Sequence, residues 1–226
     1  MTSNHLYIIA GTDTEIGKTT AACALLVALR SAGLTVRGIK PVESGTETQQ
    51  SVDEEDGRRL AAAAGQSEPA EALQRLRAPL APPVAADDEG VELRVEDWLD
   101  AIRHWRGEAD ITLVEGAGGL LSPLADGFDT RDLSQALDAS VLLVAVDALG
   151  TLNHTFLTIE ALEAAGCELA GVIFSAPETP DASTGRNAAV VARRFPDLPV
   201  VTLPRVDTDD EGAKVLAHAG FVEDLL

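Results

Sequence analysis

The stretch Leu6-Tyr7-Ile8-Ile9-Ala10-Gly11-Thr12-Asp13-Thr14-Glu15-Ile16-Gly17-Lys18-Thr19 decides the fold. Its first five residues form an apolar run of strand length, carrying the β-branched pair Ile8-Ile9. Glycines then bracket a polar loop, and residues 19–32 read as an apolar helix ended by Gly33. Strand, glycine loop and helix form the context in which a loop of the G-x-x-x-x-G-K-[ST] kind cradles phosphates. Glycines let backbone N–H groups turn toward an anion, and the helix N-terminus adds its dipole. The Lys18 ammonium would neutralise the outer phosphates, and the Thr19 hydroxyl would coordinate Mg²⁺. The implied ligand is a nucleoside triphosphate, a class shared by kinases, GTPases, partition ATPases and ligases.

Outward from this loop, strand-like and helix-like segments alternate. Residues 34–39 read as a second strand, with further strands near 111–115, 140–146, 169–174 and 199–203. Helical periodicity covers 95–105, with helices near 130–138, 152–165 and 186–195. The run 141–146 is apolar without alternation, as a strand covered on both faces should be. The pattern predicts an α/β fold of the P-loop NTPase kind: a doubly wound, mostly parallel sheet with helices on both faces. Crossovers should be right-handed, and ligands should sit at the carboxyl ends of the strands. The acidic stretch Glu43–Asp56 reads as a loop, followed by an alanine-rich helix that stops at Gly65. Residues 79–90, with Pro79, Pro82 and Pro83, read as a surface connection rather than a domain linker, so 1–226 is expected to be one domain.

Composition narrows the partners. The 226 residues include 37 Asp and Glu against 17 Lys and Arg, a formal net charge of −20. Such a surface argues against nucleic acid or an anionic membrane as a main partner, and it suits high ionic strength. Cys23 and Cys167 read as buried small hydrophobes, not as a disulfide framework. The longest apolar run, Ala21 to Leu29, falls well short of the ~20 residues a membrane-spanning helix needs. No basic segment followed by an apolar one opens the chain, so the expected compartment is the cytoplasm.

The lysines are only three, Lys18, Lys40 and Lys214. Lys40 follows the second strand in Gly38-Ile-Lys-Pro-Val-Glu-Ser44, and Pro41 cannot extend a ladder. That places Lys40 at the carboxyl edge of the sheet beside the phosphate loop. Ser44 is positioned to hydrogen-bond a carboxylate or carbamate oxygen. Glu115 ends the strand Ile111–Glu115, where P-loop proteins keep a second metal ligand. Backbone amides of Gly116-Ala117-Gly118-Gly119 after it are available to an anion. Asp56 completes a candidate magnesium shell, with Asp53 as its competitor in the same acidic run. Asn153, at the start of a helix, reads equally as a residue serving that helix end or as part of a carboxylate-binding N-terminus. His154 beside it reads as structural.

These motifs together resemble the ATP-dependent dethiobiotin synthetases. The carriers are Gly11–Thr19, Lys40-Pro-Val-Glu-Ser44-Gly, Val114-Glu-Gly-Ala-Gly-Gly119 and Leu149-Gly-Thr-Leu-Asn-His154, in the family's order, over residues 6 to about 211. The resemblance implies conversion of 7,8-diaminopelargonic acid, CO₂ and ATP to dethiobiotin with Mg²⁺, through a carbamate and a carbamic–phosphoric anhydride. It implies catalytic roles for Lys40, Lys18 and Thr14, a nucleotide loop over Glu15, Ile16, Gly17, Lys18, Thr19 and Thr20, and nucleotide contacts at Asp56, Glu115, Gly116, Ala117 and Gly118. Magnesium ligands would be Thr19, Asp56 and Glu115. Substrate contacts would be Lys40, Ser44 and Gly118, with Leu149, Gly150, Thr151 and Asn153 supplied by the partner chain of a homodimer. Base- and ribose-side contacts would come from Ser175, Ala176, Pro204, Arg205, Val206 and Glu211. At one place the chain departs from the family. Many members carry Asn-Asp where this chain has Ser175-Ala176, and a serine offers a single-atom contact instead of a two-point pairing with adenine. The competing reading is a partition- or placement-type ATPase switch that binds a protein partner; the −20 charge and Thr12-Asp13 in the loop weigh against it.

Overall fold

The computed structural model describes residues 4–225. In chain order the elements are β1 (His5–Gly11), α1 (Lys18–Ser31), β2 (Val36–Ile39), β3 (Val42–Glu43), α2 (Asp56–Ala64), β4 (Gln74–Arg75), α3 (Pro82–Glu89) and α4 (Val95–Arg106). There follow β5 (Ile111–Glu115), β6 (Pro123–Ala125), β7 (Phe128–Asp129), α5 (Thr130–Leu137), β8 (Ser140–Val146), α6 (Thr151–Ala165), β9 (Leu169–Ser175), α7 (Asn187–Arg194), β10 (Val200–Leu203) and α8 (Asp209–His218).

Six strands make the main sheet, in the order β10-β9-β8-β1-β5-β2. All its neighbouring pairs are parallel. The period of two along β1 splits its side chains between two cores. Tyr7 and Ile9 join the face covered by α1, α2 and α8, while Leu6, Ile8 and Ala10 join the face covered by α4 to α7. Burial on both faces explains why the strands read as continuous apolar runs. The chain starts at β1, winds outward to β2, returns through β5 and then builds the other half, so order reverses around β1 and a crevice opens at its carboxyl end.

Register fixes what meets there. Ile9 pairs with Glu115, and Ile39 pairs with Val114, so Lys40 and Glu115 emerge side by side at the strand tips. The sequence expectation for the sheet holds strand by strand. Three connections differ. Glu43, expected to open a loop, ends β3, which pairs in parallel with β4, and Asp56 opens α2 instead of ending a loop. Residues 82–89, expected as a surface connection, form α3; Pro82 and Pro83 occupy its first positions, where no N–H is needed. Helix α8 was not expected, because its apolar face is thin: Ala213 and Leu216 are its buried side chains besides Gly212. Cys23 and Cys167 are buried and free, as expected. Among the described residues, no helix is long and apolar enough to cross a membrane.

Candidate active site

The phosphate loop leaves β1 and enters α1. It holds five residues between Gly11 and Gly17, one more than the G-x-x-x-x-G-K-[ST] pattern has. The longer loop includes a left-handed residue, Glu15, at φ 53°. Gly17 is left-handed as well, at φ 90°, and a Cβ there would come within 2.3 Å of the Ser175 hydroxyl. No other residue meets both demands. Lys18 Nζ donates back to the Asp13 carbonyl at 2.8 Å, which folds the loop around its own ammonium.

Four side chains interlock beneath the loop. Thr19 Oγ1 lies 2.8 Å from Asp56 Oδ1 and 2.8 Å from Glu115 Oε1. Lys40 Nζ donates to Glu115 Oε1 at 2.7 Å, to Asp56 Oδ2 at 2.9 Å and to the Gly116 carbonyl at 3.2 Å. Lys40 and Glu115 are buried, at 3% and 1% exposure, so neither ion is tolerable without the other. The electrostatics follow this geometry. Burial pushes the Glu115 carboxyl up, with Lys40 opposing it. Burial also raises Asp56, but the Lys40 charge and hydrogen bonds from Lys40 and Thr19 hold it below the usual carboxylate range. Burial works against the charge of Lys40, and Asp56 and Glu115 override it, so its pKa lies above the ordinary lysine range. Lys18 goes the other way: burial, then the like charge of Lys40, bring it down to about 8.

The two candidate acids, Asp53 and Asp56, sit in different surroundings. Asp53 is exposed in a 3₁₀ turn, while Asp56 faces Thr19. Among the described residues no three His, Cys, Asp or Glu side chains gather as a protein-only metal cage. Magnesium does not require one; it takes one or two carboxylates and completes its shell with water and substrate phosphate. The Glu115 Oε2 atom is buried without a hydrogen-bond partner, an acceptor the fold leaves open. Two carboxylates, one of them with an open oxygen, and a hydroxyl fit a magnesium ion.

These groups line a cleft of about 820 Å³. A family model described as an AAA domain matches residues 5–208. The ATP-dependent dethiobiotin synthetase BioD of Anaeromyxobacter dehalogenans (strain 2CP-C) is 44% identical over 200 residues, covering 87% of this chain and 88% of that one. The protein of the same name from Caulobacter vibrioides (strain NA1000 / CB15N) is 40% identical over 212 residues, 92% of this chain and 95% of the relative. The chain belongs to the dethiobiotin synthetase family. Solved structures add the fold alone: a ParA family ATPase from Chlorobium tepidum aligns with a TM-score of 0.58 at 12% identity, over 98% of this chain and 93% of that one. The MinC:MinD cell division complex of Aquifex aeolicus gives 0.54 at 13% identity, over 98% and 93%. These two structures thus share the architecture, while sequence similarity lies with the synthetases.

Against the synthetase pattern, the predicted residues divide in two. Thr14, Glu15, Ile16, Gly17, Lys18, Thr19, Thr20, Lys40, Ser44, Asp56, Glu115, Ala117 and Gly118 all line the one cleft. Gly116 joins them through its carbonyl. Leu149, Gly150, Thr151 and Asn153 do not line it. Helix α6 begins after Gly150 without a side-chain cap, so Asn153 does not serve that end; it is exposed, like His154. Ser175 is buried against Gly17, and Ala176 donates its N–H to the Leu203 carbonyl. Pro204 and Arg205 are exposed, and Val206 lines a neighbouring cavity that meets the cleft at Thr20 and Arg59. Glu211 turns back to accept the Asp207 N–H at the start of α8.

Sequence reasoning missed Glu43, Gln49, Arg59 and Ser122 as cleft residues. Arg59 had a signal: it stands three residues after Asp56, on the same helix face. Gln49 and Ser122 had none, since their placement depends on long-range packing.

Proposed function

We propose that this chain is an ATP-dependent carbon–nitrogen cyclo-ligase that makes dethiobiotin from 7,8-diaminopelargonic acid, CO₂ and ATP, in biotin biosynthesis. The observation that carries the reading is the meeting of Lys40, Glu115, Asp56 and Thr19 at the strand tips of a chain from this family. One substrate amine adds to CO₂ and loses a proton, leaving a carbamate. A carbamate oxygen attacks the γ-phosphorus and ADP departs, giving the mixed anhydride. The second amine attacks the carbamoyl carbon, phosphate leaves, and the cyclic urea closes.

The site meets the two anionic stages with fixed charge. Lys40 supplies a preorganised ammonium to the carbamate and the transferring phosphoryl group. Lys18 and the loop amides hold the outer phosphates, and Thr14, Ser44 and the Gly118 amide orient the carbamate. Thr19, Asp56 and Glu115 would hold Mg²⁺, which supplies charge neutralisation across the phosphate oxygens.

Leu149, Gly150, Thr151 and Asn153 serve a second copy of the chain, where the N-terminus of α6 receives the substrate carboxylate. Three observations support that homodimer. The four residues lie off their own cleft; Leu149 is 86% exposed and Leu157 57%; and Leu121 and Leu157 line a shallow cavity between the 119–123 turn and α6. Ser175, Ala176, Pro204, Arg205, Val206 and Glu211 form the base and ribose side. The enzyme works as a single domain in the cytoplasm, without nucleic acid or membrane partners.

The test is phosphate release from MgATP with bicarbonate, with and without the diamine, followed by mass spectrometry of the product. Diamine-dependent release with a cyclic urea formed bears the proposal out. Release indifferent to the diamine overturns it in favour of a switch ATPase. Repeating the assay with CTP and GTP measures what Ser175 does to base preference.

A further inference from the structure

We infer that Glu43 is a positioning residue for divalent-cation binding, acting through Asp56; this rests on the reading of Asp56 as a metal ligand. Glu43 ends β3 and is 3% exposed. Its Oε1 accepts the Asp56 backbone N–H at 2.7 Å and the Gln49 Nε2 at 3.0 Å, and its Oε2 accepts the Gly57 N–H at 3.0 Å. These two amides open α2, and the residue preceding the helix, Glu55, provides no side-chain cap. A carboxylate from a remote strand therefore fills the helix N-terminus, where orphan N–H groups and the dipole both favour an anion.

That carboxylate lies in an already acidic corner, and its burial is offset by the two backbone amides it accepts from. Glu55 and Asp56 adjoin the cap, and Glu115 stands beyond Asp56 on Lys40. The arginine tied to Glu55, Arg75, sits opposite Glu43 in the β3–β4 pair. What the cap fixes is the first residue of α2. With the N–H groups of Asp56 and Gly57 both held, the Asp56 carboxylate has one direction, with Oδ1 on Thr19 and Oδ2 on Lys40. The opposite side of this helix end is equally tight: a Cβ on Gly57 would come within 2.2 Å of the Ala72 backbone nitrogen. The helix end is clamped between Glu43 and the 71–72 backbone. Partners of this kind orient a ligand without touching the ion, and their loss lowers metal affinity by about 10–100-fold.

The experiment titrates Mn²⁺ into full-length protein saturated with β,γ-imido-ATP, read by electron paramagnetic resonance, for wild type, Glu43→Ala, Glu43→Gln and Asp56→Asn. Urea unfolding and nucleotide affinity in EDTA are measured alongside. The expected result is an Mn²⁺ affinity about 10–100-fold weaker in Glu43→Ala and an intermediate loss in Glu43→Gln, which keeps one acceptor oxygen. Metal-free nucleotide affinity stays at the wild-type value. If Asp56→Asn weakens Mn²⁺ and folded Glu43→Ala stays within about twofold of wild type, Glu43 is only a helix cap and the inference is overturned. If Asp56→Asn binds Mn²⁺ as wild type does, the metal reading of Asp56 itself has failed. Should Glu43→Ala not fold, Glu43→Gln carries the test, and wild-type Mn²⁺ affinity in it overturns the inference.

Discussion

The two halves of the strand-tip crevice are built on opposite plans. On the β1–β5–β2 side the candidate groups are partnered with one another: Thr19, Lys40, Asp56 and Glu115 share four hydrogen bonds or ion pairs within one cleft. On the β8–β9–β10 side, polar groups lock the loops, and the candidate contacts are scattered: Leu149 and Asn153 are exposed, while Thr151 and Ser175 are buried. Asp147, fully buried, accepts the Gly185 N–H and Asn187 Nδ2, each at 2.7 Å. Asp181 accepts the Leu149 N–H at 2.7 Å, tying the β8–α6 loop to the segment after β9. Leu149 itself remains exposed. The first half is a charge cluster that one chain completes. The second is a set of loops tied together by hydrogen bonds to two carboxylates, Asp147 and Asp181. The lesson is that a buried ion must be satisfied locally, whereas a contact loop needs only to be held still.

The largest expected effect tests the first half. Lys40→Ala should cost turnover about 10²–10³-fold, as loss of one preorganised donor does, while leaving nucleotide binding in place. Phosphate release and a nucleotide titration check this together; wild-type turnover would remove Lys40 from the chemistry. Next comes the lock of the second half. Asp147→Ala removes the acceptor shared by the Gly185 N–H and the buried Asn187 amide, leaving Asn187 only its longer bonds to Ser183, which should lower stability by about 1–3 kcal/mol. Urea unfolding reads that loss, and an unchanged midpoint would mean the loops do not depend on Asp147.

The difference between the halves sharpens further at the surface. Leu157→Glu should weaken the proposed homodimer by at least about tenfold, because a charge replaces an apolar contact in its core. Sedimentation across concentration measures it; a mutant that associates like wild type places the interface elsewhere. The smallest effect lies at acid pH. Hydrogen bonds, first from the Ser183 hydroxyl and then from the Leu149 N–H, hold the Asp181 carboxyl down to about 2. An unfolded chain would have it near ~3.9. Because the folded value is the lower one, its stabilising contribution is complete above ~4 and disappears as pH falls through about 2. An NMR titration of the Leu149 amide should follow that step, and Asp181→Asn should abolish it.

Much of this protein is legible without coordinates. The order and type of the main-sheet strands follow from local sequence, because a strand buried on both faces must be apolar throughout and a phosphate loop must sit between strand and helix. Lys18, Thr19, Lys40 and Glu115 are legible for the same reason: each lies next to an element end that its own neighbours define. The elements that sequence reading lost are those whose cause lies elsewhere in the chain. Val42–Glu43 is a strand only because Gln74–Arg75 comes alongside it. That Asp56 and not Asp53 faces Thr19 depends on where α2 starts, and that start is capped by Glu43, thirteen residues earlier. The place of Ser175 beneath Gly17 required a loop and a strand end far apart in sequence to touch. Sequence by itself determined which chemistry-bearing residues stand at the ends of elements, since backbone preference and hydrophobic period act over a few residues. Tertiary structure alone decided which of those ends converge, because register between strands and the capping of one element by another are long-range contacts that no local pattern encodes.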